Sequence, residues 1–293
     1  MLEDLDAALQ KKEITSVEVP DDRALQKLKH APDTWWQQEL STLPTEIDFP
    51  VPSNDEGLSV HLFDLLSPSD VAKLEETCRD IGVELATAVI HSSARAVNSV
   101  IERPLEKLAV SVPITVRSDS RDERVMGMHL NTLPVPVVLD GRDLEAALLR
   151  TRASIKGVQQ RKHSSYRSLI SEYASHRIGG RDPWLDIMVG FVDRPLYECD
   201  LFESEMPPPN DSAAPVLILA RRTNQGSLHV RMLHDPDVLD AGVARNIFEQ
   251  FMKELRAIAS GKYHVNDPAI SDGDSQNVST VVDMVSASVE KTP

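Results

Sequence analysis

Between Ser227 and Ile258 the hydrophobic period changes once, and that change constrains the fold more than any other feature of the chain. Leu228, Val230 and Met232 alternate with His229 and Arg231, the period of two expected of a strand whose sheet has one covered face. From Asp237 onward Val238, Ile247, Phe248, Phe251, Leu255 and Ile258 recur at helical spacing, and Gly261 follows as a stop. A one-sided strand leading into a long one-sided helix requires a sheet with helices laid on it. The expectation is an α/β sandwich.

Upstream segments fit that scheme. Ser67 is placed to cap a helix, Pro68 suits its first position and Asp70 suits a capping-box acid. Val71, Leu74, Cys78 and Ile81 then mark its buried face before Gly82 ends it. A second helix is expected over Glu84–Ile101, with Leu85, Ala88, Val89, Ser92, Ala96 and Val100 inward. Leu108–Val116 reads as a strand interrupted by Pro113, and Leu133–Leu139 as an edge strand because it contains Pro134 and Pro136. Asp143 opens a helix carrying Leu144, Leu148 and Ile155, and Tyr166, Leu169, Ile170 and Tyr173 mark a shorter one. Trp184–Val192 and Val216–Ala220 are further strands.

Toward the N-terminus, Leu2, Leu5 and Leu9 suggest a short helix, and Asp33–Leu40 another. The rest of 11–57 reads as an extended crossing segment punctuated by Pro44, Pro50 and Pro52. Residues 265–293 are polar and read as a tail, with Val278, Val281 and Val285 able to form a weak amphipathic turn or two. The expected organisation is 1–57, 58–262 and 263–293.

Charge narrows the partners. With 46 acidic against 31 basic residues the net charge is −15, which repels nucleic acid and anionic membrane at long range. The longest apolar runs fall short of a membrane span, and the acidic start Met1–Asp6 lacks the basic region of a secretory signal. Cys78 and Cys199 form no Cys-x-x-Cys pair, so the expected compartment is reducing and cytoplasmic. No His-x-x-x-His, His-Glu-x-x-His or Cys/His cluster offers a metal site, and Gly179-Gly180 lacks the lysine and spacing of a phosphate loop.

Five segments in order resemble the second half of a condensation domain from a nonribosomal peptide synthetase. Trp35-Trp36-Gln37-Gln38-Glu39-Leu40 with Leu43-Pro44 resembles the family's YWxxxLxGxP stretch, and Val112–Arg117 resembles its xPVxxR strand end. Gly127-Met128-His129-Leu130-Asn131-Thr132-Leu133-Pro134 resembles GxFVNTLPxR, the most specific of the five. Asp182–Asp186 resembles NPLFD, and the Leu228–Leu233 strand with its helix resembles the closing pair. The resemblance covers about residues 1–260. It implies a chloramphenicol-acetyltransferase-like two-layer sandwich: one complete lobe plus a remnant of the other. His129 departs from the family's aromatic and Pro136 from its Arg, while His163–Ile170 and Arg181-Asp182 match other motifs only by position. These departures imply a divergent lineage, fungal rather than bacterial.

The family's active site is His-His-x-x-x-Asp-Gly, and none of the nine histidines here has a histidine neighbour. Leu2–Leu9 resembles the helix that follows that motif, so the resemblance implies a chain starting just after the catalytic histidines, with no catalytic residue of its own. Joining two carrier-bound thioesters requires deprotonating an amine, a task suited to imidazole. His129, inside the GxFVNTLPxR-like loop, is the best substitute, against the reading that it fills an aromatic position in the wall. His91-Ser92-Ser93 lies along one helix, where adjacent side chains diverge, and His234-Asp235 reads as a turn.

The resemblance implies that His129, Asn131 and Thr132 line a tunnel for the phosphopantetheine arm delivered by carrier proteins; no cofactor is bound by the chain itself. Asn131 satisfying backbone groups at a turn is an equal alternative. The implied function is a partial condensation-type acyltransferase, not catalytic alone, with carrier domains and an N-terminal lobe supplied in trans as partners. Loss of that lobe should expose apolar surface and make the protein oligomeric or poorly soluble. The alternative is a non-catalytic module that docks carrier proteins or tailoring enzymes.

Overall fold

The computed structural model describes residues 33–50, 61–117, 129–139, 143–174, 181–193 and 212–261. The expectations for Leu2–Leu9, Gly127-Met128, Gly179-Gly180, Cys199 and the 265–293 tail lie outside these residues. The chain divides into units Met1–Tyr263 and His264–Pro293, and every described residue belongs to the first.

The elements in chain order are α1 (Thr34–Leu40), β1 (Leu62–Leu66), α2 (Pro68–Ile81), α3 (Leu85–Asn98), β2 (Lys107–Thr115), β3 (Leu130–Val138), α4 (Leu144–Gln160), α5 (Tyr166–Tyr173), β4 (Ile187–Val192), β5 (Val216–Arg222), β6 (Leu228–His234) and α6 (Ala241–Ala259). The strands form one mixed sheet in the order β1-β6-β5-β4-β2-β3. β4 runs parallel to β5 and to β2, and the other pairs are antiparallel.

Helix boundaries follow side-chain chemistry. Ser67 caps α2 through the Asp70 amide, Pro68 occupies the first position, and Gly82 closes it at φ 82°, a left-handed conformation in which a side chain costs energy. Asp143 caps α4 and Ser165 caps α5. α6 begins later than the spacing suggested. Asp235 instead closes a turn with the Val238 and Leu239 amides, and Asp240 caps the helix through the Val243 amide.

The helices cover one face of the sheet. Val230, Ile218 and Val189, which share that face by register, are fully buried beneath them. α3 occupies the middle of the layer, touching α4, α6, β2 and β4. Its burial is nearly all-round: Thr87, Ile90, His91, Ser93, Ala94 and Val97 are buried along with much of the expected inward face, whereas Val100 is only half-buried. Small residues on its second side let α4 and α6 approach closely. α1 and residues 41–50 pack into the same core through Trp36, Leu40, Leu43, Ile47 and Phe49.

Prolines shape the β2–β3 end. The Val116 amide donates to the His129 carbonyl and the Leu139 amide to the Glu106 carbonyl, so odd-numbered residues of β3 turn their amides toward β2. Pro134 and Pro136 therefore point outward, where a missing N–H costs no ladder bond and leaves little for another strand to pair with. The same parity turns Pro113 toward β4, and β2 meets β4 at one position only, Ser111 opposite Met188. β2 accordingly continues through Pro113 to Thr115, paired with β3 along nine positions.

One strand was not expected at all, and one expectation needs correction. β1 carries no alternation that marks it as a strand, yet it pairs with β6 over five residues. β4 starts at Ile187 because Trp184 takes φ 60°, a conformation unfavourable for a bulky side chain.

Candidate functional site

The three candidate residues sit at the start of β3. His129 and Asn131 are buried, and Thr132 is half-buried. Side chains alternate along a strand, so Asn131 shares the helix-covered face with Leu133 and Val135, while Thr132 points to the opposite face. The fold separates Asn131 from Thr132 and leaves His129 with the parity of Asn131.

Asn131 is tied to a specific turn. Its Nδ2 donates to the carbonyl oxygens of Lys162 (2.9 Å) and Ser164 (2.8 Å), which uses both amide hydrogens. The same turn, joining α4 to α5, is held twice more. Trp36 Nε1 donates to Ser164 Oγ at 2.9 Å, and Lys162 Nζ donates to the Arg117 carbonyl at 2.6 Å. Gly157 lies so close beneath the Trp35 ring that a Cβ there would come within 2.4 Å of it, and the Arg161 guanidinium lies over that ring at 4.7 Å.

A second clamp holds the crossing segment. Asp186 accepts from the Ile47 amide, from Arg181 Nε at 2.9 Å and from Arg181 Nη2 at 3.3 Å. Arg181 also donates to the Ile47 carbonyl at 2.7 Å. The Trp184 amide donates to the Thr45 carbonyl (2.7 Å), and its own carbonyl accepts from Ser111 Oγ at 2.8 Å. Burial raises the Asp186 pKa, and Glu46 adds to it. The opposing hydrogen bonds and the Arg181 charge only partly offset that desolvation. The Arg181-Asp182 and NPLFD-like stretches, read from sequence as separate matches, thus meet in one structural clamp.

Two of the histidines weighed as substitutes, His91 and His234, are built into the fold. His91 Nδ1 lies 3.0 Å from Thr151 Oγ1, whose hydroxyl donates to the Ala147 carbonyl. The hydroxyl must therefore accept from His91, which places the ring proton on Nδ1. Nε2 is buried without a partner. Burial, reinforced by Arg95 and Arg150, pushes the His91 pKa down to about 3. Ser93 Oγ donates to the Ile90 carbonyl at 2.7 Å rather than meeting His91, so no nucleophile–base pair exists there. His234 is buried at the end of β6. Cys78 is a buried thiol whose pKa is pushed up to about 11 by burial and by Glu75 and Glu84.

Among the described residues no group of three or more His, Cys, Asp or Glu could hold a metal ion. No described helix is long and apolar enough to cross a membrane. A cleft at the α2–α3 corner is lined by Glu75, Arg79, Glu84 and Asp193 among others, and by none of the three candidate residues.

The sequence profile of the condensation domain matches residues 17–262. No curated protein matches. The X-domain solved as the complex of the X-domain and OxyB from teicoplanin biosynthesis is similar over 93% of this chain and 59% of its own, at 14% identity and a TM-score of 0.67. The first condensation domain of the calcium-dependent antibiotic synthetase, in complex with a substrate analogue, is similar over 92% of this chain and 64% of its own (17% identity, TM-score 0.64). The nonribosomal peptide synthetase FmoA3 is similar over 77% of this chain and 25% of its own (17% identity, TM-score 0.65). The chain thus spans less than two thirds of each. Identities this low speak to the fold, whereas the profile runs along most of the sequence: the chain belongs to the condensation-domain family.

Proposed function

We propose that this chain supplies the C-terminal half of a condensation-type acyltransferase in nonribosomal peptide synthesis, and that it makes no amide bond unaided. The observation that carries this reading is the state of its histidines. None has a histidine neighbour, and His91, the one flanked by serines, is sealed in the core with its pKa pushed down to about 3. A general base must reach the amine and hold a proton near neutrality.

In this reading the cytoplasmic partners are carrier-protein domains, whose phosphopantetheine arms arrive as part of the substrate. A lobe bearing His-His-x-x-x-Asp-Gly, on the same polypeptide or another, supplies the base. His129 and Asn131 supply wall from one side of β3 and Thr132 from the other. The test mixes the purified chain with aminoacyl-loaded donor and acceptor carriers, with and without a separately produced N-terminal lobe. Amide product is expected only when that lobe is present; product above the buffer rate from the chain alone would overturn the reading.

A second reading, a docking module without chemistry, is favoured by the likeness to the X-domain solved with OxyB. It expects saturable binding of a loaded carrier protein or a tailoring enzyme, weakened by Asn131→Ala. Titration followed by calorimetry distinguishes it, because the first reading requires turnover on adding the lobe and this one does not.

A further inference from the structure

The sheet face turned away from the helices bears two arginines, Arg221 and Arg231, that no carboxylate among the described residues pairs with. Register sets two adjacent rows across it: Leu219, Arg231 and Phe63 in one, and Arg221, His229 and Leu65 in the next. Phe63 is 57% exposed and Leu65 41%. Both arginines are half-buried, and a half-buried arginine can cover apolar surface with its stem while its charged head stays in water. Neither has an ion pair or hydrogen bond through its side chain among the described residues. By contrast, on the helix side Arg222 pairs with Glu75 and Asp193, and Arg256 pairs with Asp64.

Arg221 and Arg231 are diagonal neighbours on adjacent strands, a separation of about 7–8 Å. Both can therefore engage carboxylates along one approaching element while Phe63 and Leu65 take its apolar side chains. We propose that this face docks a partner protein through an apolar ridge bordered by Asp or Glu side chains. The net charge of −15 repels polyanions and anionic bilayers as whole objects, so a localised acidic edge is favoured over nucleic acid or membrane. A second copy laid face to face would set arginine against arginine. The proposal is independent of any part the chain plays in amide formation.

The test uses the full chain and two synthetic helical peptides with the same leucine face, one bordered by glutamate and the other by lysine, read by fluorescence anisotropy. The glutamate peptide is expected to bind at least about tenfold more tightly than the lysine peptide. Arg221→Glu with Arg231→Glu is expected to reverse that preference. Phe63→Ser with Leu65→Ser is expected to weaken both peptides and leave the preference intact. Circular dichroism checks that each variant keeps the fold, and Arg221→Gln with Arg231→Gln supplies a milder pair, without charge reversal at half-buried positions, in which the preference disappears. The proposal is overturned by equal binding of the two peptides or by a preference that survives charge reversal. It is equally overturned by tighter binding to phosphatidylserine vesicles, or by a wild-type dimer that Phe63→Ser dissolves.

Discussion

The two ends of the sheet solve the problem of an exposed strand in opposite ways. At the β3 end the strand is long, paired along nine positions, and buried from Asn131 to Val137 apart from half-buried Thr132. Two of its outward donors are removed by Pro134 and Pro136, and Asn131 fastens it to the α4–α5 turn. At the β1 end the strand has five residues, with Phe63 and Leu65 in solvent. Its protection is a side chain: Asp64 Oδ1 accepts from the Leu65 amide at 2.7 Å. One end is closed by covalent structure and packing, the other by a single carboxylate. The family motifs concentrate at the closed end, and the surface suited to a partner lies toward the open one.

The largest expected difference between the ends is in packing. Trp36 is fully buried with its indole N–H bonded to Ser164, so Trp36→Ala should destabilise by about 3–5 kcal/mol. Phe63→Ala, on the open strand, should change stability by no more than about 0.5 kcal/mol. Urea unfolding of both variants checks the contrast, which fails if the two shift the midpoint alike.

The clamp around Asp186 comes next. Asp186→Ala leaves the Ile47 amide and Arg181 without their acceptor, a loss of about 2 kcal/mol. Asp186→Asn should cost less and alter the pH dependence. A carboxyl whose folded pKa lies above its unfolded value holds its proton more tightly in the folded state. Its contribution therefore favours folding at low pH and declines as pH rises from the ordinary value of 3.8 to the raised one, staying level above. That decline should be present in the wild type and absent in Asp186→Asn when unfolding free energies are compared across the acid range. A smaller effect, about 1–2 kcal/mol, is expected for Asn131→Ala, which frees two carbonyls at the α4–α5 turn. Hydrogen exchange should quicken at residues 162–165 and stay unchanged at β1.

The pattern of what was legible follows the range of the interactions. Features set by neighbours in sequence were readable: the Ser67-Pro68 start and Gly82 stop of α2, the alternation of β6, and the edge position of β3 from its prolines. The start of α6 was misplaced because Asp235, Asp237 and Asp240 are equally good caps locally, and only packing of the 235–239 turn selects the last. β1 was missed because five residues with Asp64 at their centre show no period; the strand exists because β6 offers an edge. The long-range polar bonds left no local trace. Asp186 meets Ile47 across 139 positions and Asn131 meets Ser164 across 33. Asn131 and Thr132, read from sequence as part of a loop ahead of Leu133, lie within the strand Leu130–Val138, and their division between its two faces depends on register, which spacing alone does not supply.

The smallest expected effect on stability carries the sharpest test of how the open end is guarded. Asp64 and Arg256 form an ion pair at 2.6 Å with both side chains more than a third exposed, so solvent screens it and Asp64→Ala should cost less than about 1 kcal/mol. Its consequence for association should be larger than its consequence for folding. Without the carboxylate the Leu65 amide becomes an unpaired outward donor beside two exposed apolar side chains, the arrangement that recruits another strand. Asp64→Ala should therefore sediment with a concentration-dependent mass increase, whereas Asp64→Asn, which keeps an oxygen for that amide, should match the wild type. If the alanine and asparagine variants associate equally, lost charge rather than the uncovered amide drives association. If neither associates, the shortness of β1 is protection enough, and the two ends of the sheet differ less than their chemistry suggests.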